Sequence, residues 1–101
     1  MVGNSSSGLA EAPSFGIGTI NIGDRQKGRL AARSVIQCEP DRKEIVAAIK
    51  KLYSHEFKKT LIAVENPYGN GGASEKIVKV LEQYPLESIL KKSFYDLKVE
   101  C

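Results

Sequence analysis

The sequence predicts an α/β fold in which a parallel sheet is flanked by helices. Short apolar, β-branched runs at residues 19–22 and 34–38 are typical of strands covered on both faces. Apolar residues recur at helical spacing along residues 41–53 and 74–84. Strands and helices follow one another in the order of an α/β unit. Because a complete doubly wound domain has more strands, we expect a piece of a larger domain.

The N-terminal elements are predicted to be a strand end, a tight loop at residues 3–8 and a short helix. That helix should be brief, because Pro13 lacks a backbone N–H donor and Gly16 and Gly18 follow closely. After the first apolar run, residues 24–29 form a loop rich in charge.

The helix after the second apolar run is predicted to begin at Asp41, which forms a capping-box pattern with Glu44. Its core-facing side chains fall at offsets 0, 4, 7 and 8 and are Ile45, Ile49, Leu52 and Tyr53. A further helix is expected at about residues 54–63.

The last third of the chain contains one loop and one clear helix. Residues 66–72 are rich in turn-forming residues and predict a loop. An amphipathic helix follows at residues 74–84 and ends before Pro85. Residues 86–92 are expected to add one more turn, and residues 93–101 are left unassigned.

Composition narrows the class of protein. At 101 residues with 42% hydrophobic content, the chain holds one small core. It contains no apolar run near the ~20 residues of a membrane span and no secretory signal pattern, so we expect a cytoplasmic protein. Cys38 and Cys101 are expected to be free thiols rather than metal ligands. The net charge of +3 comes with paired lysines, which favour solvated helix faces over a nucleic-acid site.

The loop at residues 3–8 is the most informative candidate site. It reads Gly-Asn-Ser-Ser-Ser-Gly directly before a helix, where unpaired backbone N–H groups and the hydroxyls of Ser5, Ser6 and Ser7 could bind a phosphate. Ordinary N-capping explains the same residues, because Ser and Asn are favoured caps in any helix. From the residues alone, both interpretations stay open.

Glu11, Arg25 and Arg29 are further candidates. A carboxylate at Glu11 could accept hydrogen bonds from ribose hydroxyls or could simply interact with a helix dipole. Arg25 and Arg29 follow a strand, at the edge where α/β proteins bind ligands, and could neutralise a diphosphate or be ordinary surface charges. His55 is better explained as an exposed residue at a helix boundary, and no complete catalytic set is evident.

Three segments in one order carry a family resemblance: residues 3–16, 19–29 and 66–69. They resemble the C-terminal domain of UDP-N-acetylglucosamine 2-epimerases and are most similar to the hydrolysing branch of sialic-acid and related nonulosonic-acid synthesis. The resemblance implies a glycosyltransferase-B-type enzyme with two Rossmann-like halves. Residues 1–101 would then be the C-terminal portion of the UDP-binding half, without the N-terminal catalytic half.

The resemblance also implies roles for the candidate residues. Ser5 and Ser6, with Ser7 beside them, would bind the diphosphate, and Glu11 the uridine ribose. Arg25 and Arg29 would be charge partners of the phosphates or the cleft. The list of implied site residues is thus Ser5, Ser6, Ser7, Glu11, Arg25 and Arg29.

For the whole protein, the resemblance implies an enzyme that eliminates UDP from a UDP-N-acetyl amino sugar. Water addition with inversion at C2 then releases an N-acetylmannosamine-type sugar. The acid and base groups lie upstream of this segment in the family. The expected partner is UDP-N-acetylglucosamine or a related UDP-sugar, in a homo-oligomeric enzyme that uses no cofactor and binds neither nucleic acid nor membrane. The alternative is a stand-alone nucleotide-binding module without catalysis.

Overall fold

Three short parallel strands form a sheet in the computed structural model, which describes residues 1–95 and residue 97. The strands are β1 (Val2–Gly3), β2 (Thr19–Ile22) and β3 (Val35–Cys38), and β2 lies in the middle. In the register, Ile20 pairs with Val2 on one side and with Ile36 on the other. The predicted α/β arrangement with a parallel sheet and flanking helices is therefore confirmed.

Four α-helices and one 3-10 helix accompany the strands in the described part of the chain. They are α1 (Ser7–Ala10), the 3-10 helix (Ala12–Phe15), α2 (Arg42–Leu52), α3 (His55–Ile62) and α4 (Ala73–Gln83). The brief first helix is confirmed: α1 has one turn, and the chain passes into the 3-10 helix that carries Pro13. Gly16 ends that segment in the left-handed region at φ 64°, which glycine adopts without steric cost.

The chain divides into two units, Met1–Asn70 and a second unit that begins at Gly71. The core lies in the first unit, where buried side chains of β2, β3, α2 and α3 pack together. They are Ile20, Ile36, Cys38, Ala48 and Phe57. Burial of this apolar surface is the main favourable contribution to folding of the unit.

The predicted core stripe of α2 is only partly right. Ile45 and Leu52 are partly buried against the core, but Ile49 is 39% exposed and Tyr53 is 69% exposed. Ala48 is the buried residue of this helix and belongs to the core cluster. The contact face is therefore narrower than the spacing suggested, and Tyr53 lies at the C-cap, beyond the helix itself.

Side-chain caps begin both α2 and α3. Asp41 Oδ2 accepts hydrogen bonds from the backbone N–H of Lys43 at 3.0 Å and of Glu44 at 3.3 Å. Ser54 Oγ accepts from the backbone N–H of Phe57 at 3.3 Å. These bonds satisfy donors that have no partner within the helix, and they fix where each helix begins.

The second unit contains α4, which confirms the helix expected at residues 74–84. None of its residues is buried. One more turn was expected at residues 86–92, and the structure has a hydrogen-bonded turn at residues 87–88 and no helix in that range. Cys101 and part of the unassigned tail lie outside the described residues. Within the described part of the chain, no helix has the length and apolar character required to cross a membrane.

Candidate functional site

The serine loop, residues 4–7, leaves the carboxyl end of β1 and enters α1. Its turn is closed by backbone hydrogen bonds from Gly8 N–H to Ser5 C=O at 3.2 Å and from Leu9 N–H to Ser6 C=O at 3.0 Å. Ser5 Oγ accepts from Ser7 N–H at 3.3 Å, whereas Ser6, in the N-cap position, makes no side-chain cap bond. Capping therefore explains Ser5 in part, whereas the Ser6 hydroxyl makes no cap bond and is exposed to solvent.

Glu11 lies one turn after Ser7, between α1 and the 3-10 helix, and it is exposed. Ser7 Oγ donates a long hydrogen bond of 3.5 Å to Glu11 Oε1. The carboxylate makes no cap hydrogen bond to the 3-10 helix that it precedes. Its charged group is thus held near the serine loop and remains accessible from solvent.

The arginine loop, residues 24–30, follows the carboxyl end of β2 and contacts the serine loop directly. Gln26 Nε2 donates to the backbone C=O of Asn4 at 2.9 Å, and the Gln26 side chain is buried. Arg25 Nη1 donates to Asn4 Oδ1 at 3.5 Å, and Arg25 is exposed. The structure therefore brings Arg25 to Asn4, at the start of the serine loop, as expected for residues that follow neighbouring parallel strands.

Arg29 lies at a different part of the same edge. It lines an open cleft of about 400 Å³ that also includes Leu9, Lys27 and Gln37. The described hydrogen bonds of Arg29 join its backbone N–H to Gln26 C=O at 3.2 Å and none joins it to the serine loop. Of the two predicted arginines, only Arg25 thus contacts the serine loop.

A polar pair on neighbouring strands supports the start of the arginine loop. Asn21 and Gln37 are register partners on β2 and β3, and Asn21 Nδ2 donates to Gln37 Oε1 at 2.7 Å. Gln37 Nε2 donates onward to Gly23 C=O at 2.6 Å. The sequence analysis did not identify these residues, although a polar Asn21 within an apolar strand was the available signal.

The loop at residues 66–69 also reaches both parts of the site. Asn66 Nδ2 donates to Ala10 C=O at 2.8 Å and to Ser14 Oγ at 2.7 Å. Tyr68 Oη donates to Leu30 C=O at 3.0 Å. The sequence analysis predicted a loop here and included the segment in the family resemblance, but it did not predict these contacts, because the partners are distant in the sequence.

His55 and Cys38, which the sequence analysis also considered, are not part of this site. His55 is exposed at the first residue of α3. Cys38 is a buried free thiol at the end of β3, and burial, followed by the negative charges of Glu44, Glu39 and Asp41, raises its pKa. Among the residues that the structure describes, no cluster of three or more His, Cys, Asp and Glu side chains could hold a metal ion.

Similarity to known proteins extends along most of the chain. The family model described as UDP-N-acetylglucosamine 2-epimerase matches residues 1–82. The chain is 48% identical over 98 residues to a GDP/UDP-N,N'-diacetylbacillosamine 2-epimerase (hydrolyzing) of Campylobacter jejuni, an alignment that covers 96% of this chain and 25% of that protein. It is 40% identical over 103 residues to polysialic acid biosynthesis protein P7 of Escherichia coli, an alignment that covers 100% of this chain and 26% of that protein.

A third relative agrees with these two. A UDP-N,N'-diacetylbacillosamine 2-epimerase (hydrolyzing) of Legionella pneumophila is 37% identical over 93 residues, which cover 91% of this chain and 24% of that protein. The chain therefore spans about a quarter of the length of these curated relatives. Since the family model matches most of its residues, including both loops at the carboxyl edge of the sheet, the chain belongs to the UDP-N-acetylglucosamine 2-epimerase family.

Proposed function

We propose that this chain is the C-terminal, UDP-binding portion of a hydrolysing 2-epimerase that acts on a UDP-N-acetyl amino sugar. The observation that carries the proposal is the contact between the serine and arginine loops. Gln26 Nε2 donates a hydrogen bond to Asn4 C=O at 2.9 Å, and Arg25 Nη1 donates to Asn4 Oδ1 at 3.5 Å. The loop that carries the Arg25 guanidinium and the loop that carries the serine hydroxyls therefore meet at the edge of a parallel sheet, where α/β proteins bind nucleotides.

In this proposal the diphosphate of UDP lies against Ser5, Ser6 and Arg25. Because α1 has a single turn, its dipole is small, and the serine hydroxyls and the arginine charge supply most of the attraction. Charge-assisted hydrogen bonds from a guanidinium to phosphate oxygens are about twice as strong as neutral ones. Arg29 acts as a second positive charge farther along the same edge.

Glu11 is proposed to bind the ribose. Ser7 Oγ donates to Oε1 of this carboxylate at 3.5 Å, so the other oxygen is available to a ribose hydroxyl. A carboxylate that accepts from ribose hydroxyls is a common arrangement in nucleotide sites. Ser7 then orients Glu11 and also lies beside the diphosphate, which accounts for its place in the predicted site.

The chemical contribution of this portion is proposed to be stabilisation of the leaving group. As the bond between the sugar and UDP breaks, negative charge develops on the diphosphate, and donors already in place lower the barrier. The whole enzyme would then add water with inversion at C2 and release an N-acetylmannosamine-type sugar and UDP. The substrate is UDP-N-acetylglucosamine or a related UDP-sugar, and the names of two of the three relatives point to diacetylbacillosamine nucleotides.

Kinetics of the intact enzyme test the assignment of Ser6 and Glu11. Each of Ser6→Ala and Glu11→Ala removes a hydrogen bond to a charged or polar group of UDP. Such a bond contributes about 1.5–3 kcal/mol, so kcat/KM is expected to fall about 10- to 100-fold. Ser74→Ala and Glu82→Ala, in exposed positions of α4, are the matched controls and should leave kcat/KM unchanged. Equal kinetics for site and control variants would disprove the proposed roles.

The alternative function is a nucleotide-binding module that works without catalysis. It is favoured by one observation: the first unit contains its own apolar core together with all the proposed UDP contacts. Calorimetry of this chain with UDP separates the two functions. Tight binding without any other protein segment would support the module, whereas binding that needs the whole enzyme would support the epimerase portion.

A further inference from the structure

Both polar atoms of the Asn66 side chain make hydrogen bonds within the first unit. Its Oδ1 accepts from the backbone N–H of Tyr68 at 2.9 Å, which fixes the orientation of the amide. Both Nδ2 protons are then used, toward Ala10 C=O at 2.8 Å and toward Ser14 Oγ at 2.7 Å. These partners are 56 and 52 residues away in the sequence, so Asn66 ties its loop to the segment that carries Glu11.

Tyr68 connects the same loop to the arginine loop. Its hydroxyl donates to the backbone C=O of Leu30 at 3.0 Å, across 38 residues of sequence. Leu30 directly follows Arg29. The contact therefore lies at the far end of the arginine loop from Gln26, which holds Asn4.

The arginine loop is consequently joined to residues 4–14, the segment that carries the serines and Glu11, at two places. At one place Gln26 and Arg25 contact Asn4. At the other, Asn66 and Tyr68 connect Ala10 to Leu30. Two separate connections restrict the distance and the rotation between this segment and the arginine loop, whereas a single connection would leave a hinge.

We propose that Asn66 and Tyr68 are positioning residues for UDP, an inference that rests on the proposed function. They set the separation of Glu11 and the arginines before the nucleotide binds, and they touch the loops rather than the ligand. A site that is already ordered does not lose loop entropy on binding, which raises affinity without any new contact to the ligand. The Tyr68 hydroxyl contributes one hydrogen bond to this ordering.

The test uses Tyr68→Phe and Asn66→Asp in the intact enzyme. The first removes only a hydroxyl. The second replaces the donating amide nitrogen of Asn66 by an oxygen that faces the Ala10 carbonyl oxygen, which cannot donate a hydrogen bond. Tyr53→Phe and Asn70→Asp are matched controls at exposed positions. Loss of one hydrogen bond predicts a KM about 3- to 10-fold higher with Tyr68→Phe, and a larger rise with Asn66→Asp, at unchanged kcat.

Amide hydrogen exchange without UDP supplies a second readout. Residues 8–12 and 24–31 are expected to exchange faster in both variants, while the midpoint of global unfolding stays the same for Tyr68→Phe. A purely structural role would instead lower kcat and the unfolding midpoint together. Unchanged exchange in both segments would overturn the proposal, and so would faster exchange at unchanged KM.

Direct UDP binding separates this proposal from the proposed function. If the unaltered enzyme binds UDP and Glu11→Ala weakens it, but Tyr68→Phe does not, the positioning role is wrong and the UDP site stands. If the unaltered enzyme does not bind UDP, the proposed function is wrong and the positioning role is overturned with it.

Discussion

The apolar core and the carboxyl edge of the sheet are held together by different forces, although they share the same strands. In the core, Ile20 and Phe57 are almost completely buried and pack with other apolar side chains. At the edge, Ser6, Glu11 and Arg25 are exposed, and the loops that carry them are joined by hydrogen bonds. The core therefore decides whether the unit folds, and the edge decides how the loops are spaced.

This difference follows from the physics of the two interactions. Apolar burial has no preferred direction and grows with the area removed from water. Hydrogen bonds depend strongly on distance and angle, and each contributes only about 0.5–1.5 kcal/mol net. Substitutions in the core should thus change stability most, whereas substitutions at the edge should change loop geometry with little change in stability.

The largest effect is expected for the core residue Phe57. It is 7% exposed, and Phe57→Ala removes most of its packing against the sheet. The free energy of unfolding should fall by about 3–5 kcal/mol, measured by urea unfolding. Phe15→Ala is the matched control, since Phe15 is 76% exposed, and it should change stability by less than about 0.5 kcal/mol. Similar losses for both variants would contradict the location of the core.

A smaller loss is expected from adding one methyl group at Gly18. A Cβ there would overlap the Cδ1 atom of Leu52 and would lie 2.9 Å from Phe57 Cε1, so Gly18→Ala overpacks the core. The expected cost is about 1–3 kcal/mol.

A double variant shows whether this cost comes from overlap. Leu52→Ala removes the closest atoms, so the combination with Gly18→Ala should cost less than the sum of the two single changes in urea unfolding. Strictly additive costs would show that the methyl group meets no obstruction from Leu52.

The core and the edge were also unequally predictable from the sequence. The position of Arg25 at the same edge as the serine loop followed from a general rule, because the carboxyl ends of parallel strands meet at one edge. The exposure of Ile49 and Tyr53 did not follow. Periodicity identifies the face of a helix, but it does not show that the small Ala48, rather than the larger Ile49, is the residue buried in the core.

Contacts between distant polar groups were the least predictable. Asn66 and Tyr68 lie in a segment whose composition predicts only a loop, and their partners are 38 to 56 residues away. Nothing in local spacing indicates which backbone carbonyl an amide will reach. The buried Asn21 could have been noticed as a polar residue in an apolar strand, but its partner Gln37 depends on strand register.

Thr19 lies where the two regions meet, and its substitution is expected to have an effect of about 1 kcal/mol. Its buried hydroxyl donates to Gly8 C=O at 3.1 Å and so ties β2 to α1. Thr19→Val keeps the shape and removes this bond, which should lower the free energy of unfolding by about 0.5–1.5 kcal/mol.

Thr60→Val is the matched control for this change. The Thr60 hydroxyl donates to Glu56 C=O at 3.3 Å in an exposed bond within α3. Thr and Val are both β-branched, so the substitution keeps the shape of the side chain. Urea unfolding should show a smaller change for this variant. If the free energy of unfolding falls equally in Thr19→Val and Thr60→Val, burial does not strengthen the hydrogen bond of Thr19.

The smallest effect is expected at Cys38 and depends on pH. Burial, and after it the negative charges of Glu44, Glu39 and Asp41, raises the pKa of this thiol above its usual value of 9.0 in the folded chain. In the unfolded chain the thiol ionises near that usual value. The folded state therefore keeps its full advantage below about pH 9 and loses it as the pH rises toward the higher folded pKa.

Unfolding measurements between about pH 7 and pH 10 test this sign. With Cys101→Ala as the background, Cys38 is the remaining thiol, and Cys38→Ala removes its titration. Cys38→Ala should be the less stable variant at pH 7 because it loses packing, and the difference should narrow above about pH 9. If the unfolding free energies of the two variants changed in parallel with pH, the thiol would ionise equally in the folded and unfolded states. The end of β3 would then be open to water, and the boundary between the core and the polar edge would lie deeper in the sheet.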